Sequence, residues 1–389
     1  MKTKTLTEPK ELVENPEKFT DIYFTDSKKV MENEEINPNI KKKVFARTDN
    51  KATTAGLQKA AETVKQITED VDIYINTNET FESKEPLMVL EGPLQQLLEP
   101  ETINLGIISQ HLTEANPGYE HPEPEKYGEA VGEIAEKFKE IDIPFADFGA
   151  RHYHPEKQEE LGYQAIKNGA ETHSTIKGAQ THGKEPSGTM PHAAVLPFKY
   201  LYGEKATLEA AKAMDRYKDG TTPVLVDTNN QEKTDTLEVC EYMEEKHGED
   251  FELLVRMDTC GENYAETAQP VDRDDGYQTG KGMNIDAVKG LSEILIEEDY
   301  RENVTFAISS GFGNPEKVDQ FVDAYKEFEE ETGYPMFDLV GAGSFKDSRN
   351  IHATSDIYEV EGDPVAKVGR EQDLDEINRY IDENMKKVV

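Results

Sequence analysis

Hydrophobic residues between positions 129 and 340 follow two alternating patterns, short apolar runs and longer segments with one apolar face. The short runs have the length of β-strands, and the longer segments have the periodicity of amphipathic helices. Helices are predicted at Glu129–Ile141, Pro155–Lys167, Leu208–Tyr217, Thr234–His247, Ile285–Ile296 and Pro315–Glu331, and strands at Phe145–Phe148, Pro223–Asp227, Phe251–Met257, Val304–Ile308 and Met336–Val340. This alternation of about six βα units predicts a largely parallel sheet, in an irregular barrel or an open doubly wound arrangement.

The opening part of the chain mixes strands and helices without this regular alternation. Strands are predicted at Val44–Thr48, Val71–Asn76 and Leu87–Glu91, helices at Thr53–Thr68 and Pro100–Leu112, and a short helix or turn at Asp21–Glu32. A mixture of this kind is typical of an α+β domain. Prolines between Ala115 and Lys126 mark its edge.

After Ser344 the pattern predicts one more strand, Asp356–Val360, and one more helix, Asp373–Lys386. Chain termini often lie close together, so this last part is expected to rejoin the opening domain. We therefore predict an N-terminal α+β domain at 1–125, an α/β domain with the active site at 126–345, and a C-terminal segment at 346–389.

The chain is strongly acidic. Its 389 residues include 43 Lys and Arg against 80 Asp and Glu, which gives a formal net charge of -37. Such a charge repels nucleic acids and anionic membranes, so neither is an expected partner. It also suggests a salt-rich, halophilic cell interior, although Lys outnumbers Arg and the charge count alone does not decide this.

The two cysteines, Cys240 and Cys260, exclude a disulfide framework and form no zinc-type cluster. No apolar run approaches the length of a membrane span, and the first residues lack the apolar core of a signal peptide. The expected location is cytoplasmic.

Glycine-rich turns follow two neighbouring predicted strands. Ser309–Gly313 comes after the strand at 304–308, and Gly341–Ser344 comes after the strand at 336–340. Glycines at strand ends allow the backbone to approach a phosphate closely, as in the phosphate sites of α/β barrels. The pair of turns therefore indicates phosphate binding.

Charged residues follow other strands of the series, where reactive groups of βα folds gather. They are Arg151, Asp227, Arg256 and Asp258. Arginine binds phosphate through its forked guanidinium, and one or two carboxylates suffice to hold Mg²⁺ beside substrate phosphates. In so acidic a chain, the candidate local cations are Arg151, Lys177, Arg256, Lys367 and Arg370.

Histidines offer two further interpretations. His152 and His154 form a His-x-His pair after a strand, as in barrel metal-dependent hydrolases, but the later strand ends supply no further His. His192 lies in Ser187-Gly-Thr-Met-Pro-His192, interpreted as a loop that Gly188 and Pro191 fix.

Several of these motifs together resemble one known family. They are Phe148-Gly-Ala-Arg151, Ser187-Gly-Thr-Met-Pro-His192, Leu225-Val-Asp227-Thr, Val255-Arg-Met-Asp258, Ser310-Gly and Gly341-Ala-Gly343. With Thr20-Asp-Ile-Tyr23, Leu90-Glu-Gly92, Glu101-Thr-x-x-Leu-Gly106 and Ala366-Lys-x-Gly-Arg370, they resemble nicotinate phosphoribosyltransferase, more closely its archaeal branch.

The resemblance implies an irregular α/β barrel of the type II phosphoribosyltransferase kind with an N-terminal α+β domain. It also implies a homodimer or larger assembly with shared active sites. The implied reaction converts nicotinate and phosphoribosyl pyrophosphate into nicotinate mononucleotide and pyrophosphate in NAD biosynthesis, with coupled ATP hydrolysis and Mg²⁺ as cofactor.

The resemblance also implies roles for individual residues. His192 would accept a phosphoryl group from ATP, Asp227 would orient it, Arg256 would hold phosphate, and Asp258 would bind ribose hydroxyls or Mg²⁺. The implied substrate-binding residues are Tyr23, Phe148, Arg151, Thr189, Ser310, Gly311, Gly341 and Gly343. Phe148 and a neighbouring subunit's Tyr23 would sandwich the pyridine ring, and the three glycines would receive the 5′-phosphate.

Two departures from the family pattern keep competing functions open. His152 stands where the family often has a second arginine, and Glu171 lies near the expected site for the carboxylate of the base. An inward-pointing Glu171 would favour a nicotinamide phosphoribosyltransferase. A hydrolase that uses His152 and His154, and a binding protein that has lost activity, also fit the sequence, whereas His192 argues against a quinolinate enzyme.

Overall fold

The computed structural model describes residues 9–268, 270, 276–346 and 349–388. Its strands are β1 Asn39–Ala46, β2 Ala52–Thr53, β3 Asp72–Asn76, β4 Thr80–Phe81, β5 Met88–Pro93, β6 Phe145–Asp147, β7 Thr172–His173, β8 Thr222–Leu225, β9 Leu253–Met257, β10 Val304–Ile308, β11 Leu339–Ala342, β12 Ala353–Val360, β13 Asp363–Pro364 and β14 Met385–Val388.

The α-helices are α1 Lys10–Glu14, α2 Ile22–Asn33, α3 Leu57–Ile67, α4 Leu94–Leu97, α5 Pro100–Ala115, α6 Pro124–Lys139, α7 Gln158–Lys167, α8 Ile176–Ala179, α9 His192–Tyr202, α10 Ala206–Tyr217, α11 Glu232–His247, α12 Ile285–Glu297, α13 Pro315–Thr332 and α14 Leu374–Asn384. Short 3₁₀ helices lie at Pro16–Lys18, Ala150–His152, Pro155–Lys157, Gln180–His182 and Gly203–Lys205. No helix in the described part of the chain is long and apolar enough to span a membrane.

Six strands form a parallel sheet in the order β7-β6-β11-β10-β9-β8. Except for β7 and β8, which are the two edges of the sheet, strands that follow one another in the chain are neighbours, and the last one, β11, pairs with the first, β6. This is the order of a barrel that is open between β7 and β8, whereas a doubly wound sheet would reverse its order in the middle. The predicted irregular α/β barrel is thus confirmed.

The second large sheet has the order β13-β12-β1-β5-β3-β14 and is antiparallel. Its strands come from both ends of the chain, since β12 pairs with β1 and β14 pairs with β3. Helices such as α3 and α5 cover it with largely buried apolar faces. The chain ends therefore meet in one sheet.

Helices α9 and α10 lie in sequence between β7 and β8, but they pack largely on the core of the antiparallel sheet. Leu196 and Phe198 of α9 and Met214 of α10 belong to that core. The segment that leaves the barrel at its opening is thus held by the other half of the molecule. Because α9 begins at His192, this packing fixes the histidine where the two halves meet.

Candidate active site

A small enclosed cavity of about 80 Å³ lies where the carboxyl ends of the barrel strands face the antiparallel sheet. Barrel residues lining it include Arg151, His192, Arg256 and Asp258. The other half contributes Tyr23 from α2 and Glu101 from α5, among others. The structure thus gathers at one point charged residues that lie far apart in the sequence.

His192 is the first residue of α9, not part of a loop as its sequence context suggested. Pro191 has extended backbone and precedes the helix. Nδ1 of His192 lies 2.9 Å from Oγ1 of Thr228, and Nε2 lies 2.9 Å from Nζ of Lys367. An ammonium group can only donate, so Nε2 accepts from Lys367 and Nδ1–H donates to Thr228.

The His192 ring is therefore neutral. Burial, followed by the neighbouring Lys367 ammonium, lowers its pKa well below the ordinary value for histidine. Its Nε2, which accepts the hydrogen bond from Lys367, also lies 3.6 Å from Asp227 Oδ2 and 4.0 Å from Asp258 Oδ2. A neutral imidazole has one unprotonated nitrogen, which can act as a nucleophile once that hydrogen bond is released.

Asp227 acts on His192 through Lys367. The Asp227 side chain is fully buried, and its Oδ2 accepts a hydrogen bond from the Lys367 ammonium. Burial alone would lower the pKa of Lys367, but Asp227 and Asp258 outweigh it and keep the amine charged. The ring itself contacts Thr228 and Lys367, and Asp227, which was expected to orient it, reaches it through Lys367.

Two arginines that line the cavity, Arg151 and Arg256, have N–H groups without a hydrogen-bond acceptor among the described residues. Arg256 is buried, and its Nη2 donates to the carbonyl of Met190 at 3.1 Å, while its Nε has no partner among the described residues. The Arg151 guanidinium also lines the cavity, and no described group accepts a hydrogen bond from it. Both are available to bind an anion.

Asp258 lines the cavity, and one of its two carboxylate oxygens accepts a hydrogen bond within the protein. Its Oδ1 accepts a hydrogen bond from Ser309 Oγ at 2.8 Å, and its side chain is 29% exposed. The described residues contain no group of three His, Cys, Asp or Glu side chains that could hold a metal ion. A lone carboxylate nevertheless fits Mg²⁺, which takes few protein ligands when substrate phosphates supply the others.

The two aromatic residues expected to hold a base have different surroundings. Tyr23 is buried in the cavity of its own chain, and its hydroxyl donates to Asp21 Oδ2 at 3.4 Å. Phe148 lies against Gly341, where an added Cβ would come within 2.0 Å of the ring. An added Cβ at Gly343 would come within 2.3 Å of the Phe148 carbonyl oxygen. Packing around Phe148 thus explains both glycines without a phosphate.

Ser310 and Gly311 do form an open cradle. Both have left-handed backbone, with φ of 79° and 81°. They line a second cavity of about 650 Å³, which we call the lysine cavity because Lys281, Lys317 and Lys346 also line it. Thr189, in contrast, is buried in the segment before α9, and its hydroxyl has no partner among the described residues.

The His-x-His pair has structural surroundings. The His152 ring stacks on His352 at 3.9 Å between centroids, and its Nδ1 lies 2.7 Å from the Gly343 carbonyl oxygen. Nδ1 of His154 accepts from the Glu156 backbone amide at 3.4 Å. With no candidate metal cluster among the described residues, the pair gives no support to a hydrolase centre.

Two more residues singled out in the sequence lie outside the cavity lining. Glu171 is exposed just before β7, at the amino end of that strand, and pairs with Lys184 at 2.5 Å. It therefore does not point into the site. Lys177 pairs with Glu11 at 3.2 Å and with Glu159 at 3.3 Å.

Sequence reasoning gave no specific role to Lys367, and it missed Thr228 and Lys317. For Lys367 a signal existed, because it lies in the Ala366-Lys-x-Gly-Arg370 motif and was counted among the candidate cations. Thr228 directly follows Asp227 and could have been read with it. Lys317 carried no signal, since it reads as an ordinary polar residue in the first turn of a helix.

Comparisons with known proteins agree with this architecture. Residues 21–112 match the quinolinate phosphoribosyl transferase N-terminal domain family. A nicotinate phosphoribosyltransferase structure from Porphyromonas gingivalis has a TM-score of 0.64 and 15% identity, covering 93% of this chain and 97% of that one. The enzyme of that name from Vibrio cholerae has a TM-score of 0.59 and 13% identity, covering 90% of this chain and 87% of that one.

A nicotinate-nucleotide pyrophosphorylase from Pyrococcus furiosus is 24% identical over 96% of this chain and 82% of that one, with a TM-score of 0.41. The match at residues 21–112 and the similarity to the Porphyromonas gingivalis and Vibrio cholerae structures show that the chain has the fold of the nicotinate phosphoribosyltransferases.

Proposed function

We propose that this chain is an enzyme that transfers phosphoribose from phosphoribosyl pyrophosphate to nicotinate in NAD biosynthesis. The products are nicotinate mononucleotide and pyrophosphate, and ATP hydrolysis is coupled to the transfer. One observation carries the proposal: Arg151, Arg256, Asp258 and the neutral His192 line a single cavity in this fold.

The two arginines have the chemistry to hold the pyrophosphate group as it departs. Cleavage at the anomeric carbon gives the ribose oxocarbenium character while negative charge builds on the leaving group. Arg151 and Arg256 supply fixed positive charge for it in a buried site, where electrostatic interactions are stronger than in water. When bound, Mg²⁺ would neutralise further charge on the pyrophosphate, and Asp258 is the residue to hold it.

Tyr23 and Phe148 are proposed to bind the flat pyridine ring. The acidic residue that would favour nicotinamide, Glu171, is paired outside the site. Glu101 does line the cavity, but Lys42 donates to it at 3.2 Å and compensates its charge. A carboxylated base thus meets the Arg151 guanidinium, while the charge of Glu101 is compensated by Lys42, and this favours nicotinate.

His192 is proposed to accept the γ-phosphoryl group of ATP. Lys367 first releases its hydrogen bond to Nε2 and donates to a phosphoryl oxygen instead. The freed Nε2 lone pair then attacks the phosphorus, the bond to the bridging oxygen breaks, and ADP leaves with both electrons of that bond. The phosphohistidine would lie beside Arg256 and Asp258, where pyrophosphate is expected to bind.

Other expectations accompany this proposal. An assembly of two or more copies, a cytoplasmic location and a halophilic, archaeal-type origin rest on the family resemblance and the net charge of -37.

The test is to incubate the purified protein and phosphoribosyl pyrophosphate with nicotinate or nicotinamide, each with and without ATP. We expect mononucleotide from nicotinate, faster with ATP. Faster transfer to nicotinamide than to nicotinate would instead indicate a nicotinamide phosphoribosyltransferase. If pyrophosphate is released neither with nicotinate nor with nicotinamide, the result would argue against phosphoribosyl transfer.

A further inference from the structure

The turn from Asp147 to Arg151 carries two residues of the candidate site. Phe148, which is proposed to bind the base, and Arg151, which is proposed to hold the leaving pyrophosphate, are separated by only two residues. The Phe148 amide donates to the Ala342 carbonyl oxygen at 2.8 Å, whereas the Arg151 guanidinium has no hydrogen-bond acceptor among the described residues. The direction of this guanidinium therefore depends on the backbone of the turn.

A buried pair of side chains, Tyr127 of α6 and Asp147 at the end of β6, closes this turn. The Tyr127 hydroxyl donates to Asp147 Oδ1 at 2.6 Å, and the Gly149 amide donates to the same oxygen at 2.9 Å. The two side chains are 1% and 0% exposed, so water does not replace either hydrogen bond when it breaks. Asp147 thus joins a helix outside the sheet to the backbone of the turn.

Gly149 packs directly on this pair. A Cβ added there would lie 2.2 Å from the Tyr127 hydroxyl oxygen and 3.1 Å from Asp147 Oδ1. The Tyr127 ring is held from its other sides by Tyr153 and Phe345, with centroid distances of 5.1 and 5.5 Å. The hydroxyl is therefore fixed in place, and the backbone of the turn is fixed against it.

The second oxygen of Asp147 makes this arrangement depend on Tyr127. Asp147 Oδ2 has no hydrogen-bond partner among the described residues, and His173 Nε2 lies 3.7 Å from it. Burial raises the pKa of Asp147, and His173, Tyr127 and the Gly149 amide oppose this by stabilising the carboxylate. Without the Tyr127 hydroxyl, the buried carboxylate would keep one close donor, the amide of the turn itself.

We propose that Tyr127 and Asp147 are positioning residues, which fix the turn and thereby the directions of the Phe148 side chain and the Arg151 guanidinium. This inference rests on the proposed function for the roles of Phe148 and Arg151. Neither Tyr127 nor Asp147 is among the described residues that line the cavity, so the pair acts through the turn and not by contact with a substrate.

The test compares wild type with Tyr127→Phe, which removes the hydroxyl and keeps the ring. Pyrophosphate binding, measured by calorimetry, should weaken about three- to tenfold, the range expected when one buried hydrogen bond is lost. KM should rise both for nicotinate and for phosphoribosyl pyrophosphate, because Phe148 and Arg151 share the turn. The Gly149 amide should exchange its hydrogen faster than in wild type.

Tyr325→Phe is the matched control, since Tyr325 is also a buried tyrosine of the barrel core. Its hydroxyl lies 3.5 Å from Glu329 on the same helix, away from the turn. This variant should leave pyrophosphate binding, both KM values and the exchange of the Gly149 amide unchanged. Asp147→Asn keeps an oxygen that can accept from Tyr127 and Gly149, so it should bind pyrophosphate more tightly than Tyr127→Phe does.

Pyrophosphate affinity and both KM values within about twofold of wild type in Tyr127→Phe would overturn the inference, even if the Gly149 amide exchanged faster, because the pair would then support only the fold. Equal losses of affinity in Tyr127→Phe and Tyr325→Phe, or a larger loss in Asp147→Asn, would overturn it too. Weaker pyrophosphate binding by Tyr127→Phe, in a protein whose wild type forms no mononucleotide, would refute the proposed function and leave this inference standing.

Discussion

Replacing Lys367 by Met should change the protonation of His192. In the structure the Lys367 ammonium lies 2.9 Å from Nε2 of the ring, between it and Asp227. Once the ammonium is gone, the ring faces the carboxylates of Asp227 at 3.6 Å and Asp258 at 4.0 Å with no intervening cation. Both carboxylates favour the imidazolium, so the pKa of His192 should rise.

The size of the change follows from Coulomb's law. At 2.9 Å, an effective dielectric constant of about 20 gives a repulsion of about 6 kcal/mol between Lys367 and a charged ring. Even a third of this, about 2 kcal/mol, raises the pKa by more than one unit. An imidazolium has no free lone pair, so the variant should lose nucleophilic activity at a higher pH than wild type does.

The assay follows acid-labile phosphate transferred from labelled ATP to the protein between pH 6 and 9, with the His192 pKa measured by NMR. Wild type should be labelled throughout this range. In Lys367→Met the His192 pKa should rise by at least about one unit, and any loss of labelling should be confined to the acid end of the range. A His192 pKa within half a unit of wild type would refute the reasoning.

Stability gives an independent readout of the same change. Lys367→Met leaves Asp227 as a buried carboxylate without a partner, which should cost about 3–5 kcal/mol in the free energy of unfolding. Asp227→Asn combined with Lys367→Met should recover much of this loss. Lys177→Met breaks only surface pairs, with Glu11 and Glu159, and should cost less than about 1 kcal/mol.

Further outcomes are expected at the base site and with salt. Phe148→Ala should raise KM for nicotinate by the equivalent of about 1–3 kcal/mol of stacking and leave KM for phosphoribosyl pyrophosphate nearly unchanged; equal effects on both would make Phe148 a core residue. Gly341→Ala should displace the same ring, at a cost of about 1–3 kcal/mol in stability, and should likewise raise KM for nicotinate; unchanged KM would separate the ring from base binding. Activity should rise with moderate KCl because screening weakens repulsion between anionic substrates and a chain of net charge -37; a flat or falling profile up to about 1 M would refute this.

The barrel was predictable because its strands and helices have clear periodicity. Strand β10 occupies the predicted residues Val304–Ile308, and in α13 the predicted apolar face is buried. Both elements combine strong local patterns with glycine or proline at their ends, so local and long-range preferences agree.

Other elements were not predicted, because their local sequence favours a different structure or is too short to show a pattern. Helix α9 was missed because Pro191 and Pro197 read as helix breakers, although Pro191 precedes the first turn and the apolar core of the antiparallel sheet holds the rest. Strand β14 was missed, and its first two residues were assigned to the predicted helix 373–386, because its partner β3 lies some 300 residues away in the sequence. Strand β7 has two residues, too few for any periodicity.

In the site, strand-end position identified Arg151, Arg256 and Asp258, because the fold gathers such ends at one edge. The link from Asp227 through Lys367 to His192 could not be predicted, since it depends on a segment that returns from the other end of the chain. The burial of Lys317 could not be predicted for a similar reason. The rings of Tyr277, Phe312 and Phe321 surround its amine, and only the fold brings them together.

The most direct test of the central claim compares the rate of nicotinate mononucleotide formation, with and without ATP, in wild type and His192→Ala. We predict that ATP accelerates the wild type, and that His192→Ala hydrolyses no ATP and forms mononucleotide at a slow rate that ATP does not change. That rate should match wild type without ATP, because Arg151, Arg256 and Asp258 remain in the cavity. Acceleration of His192→Ala by ATP, or no mononucleotide from wild type under any condition, would contradict the account.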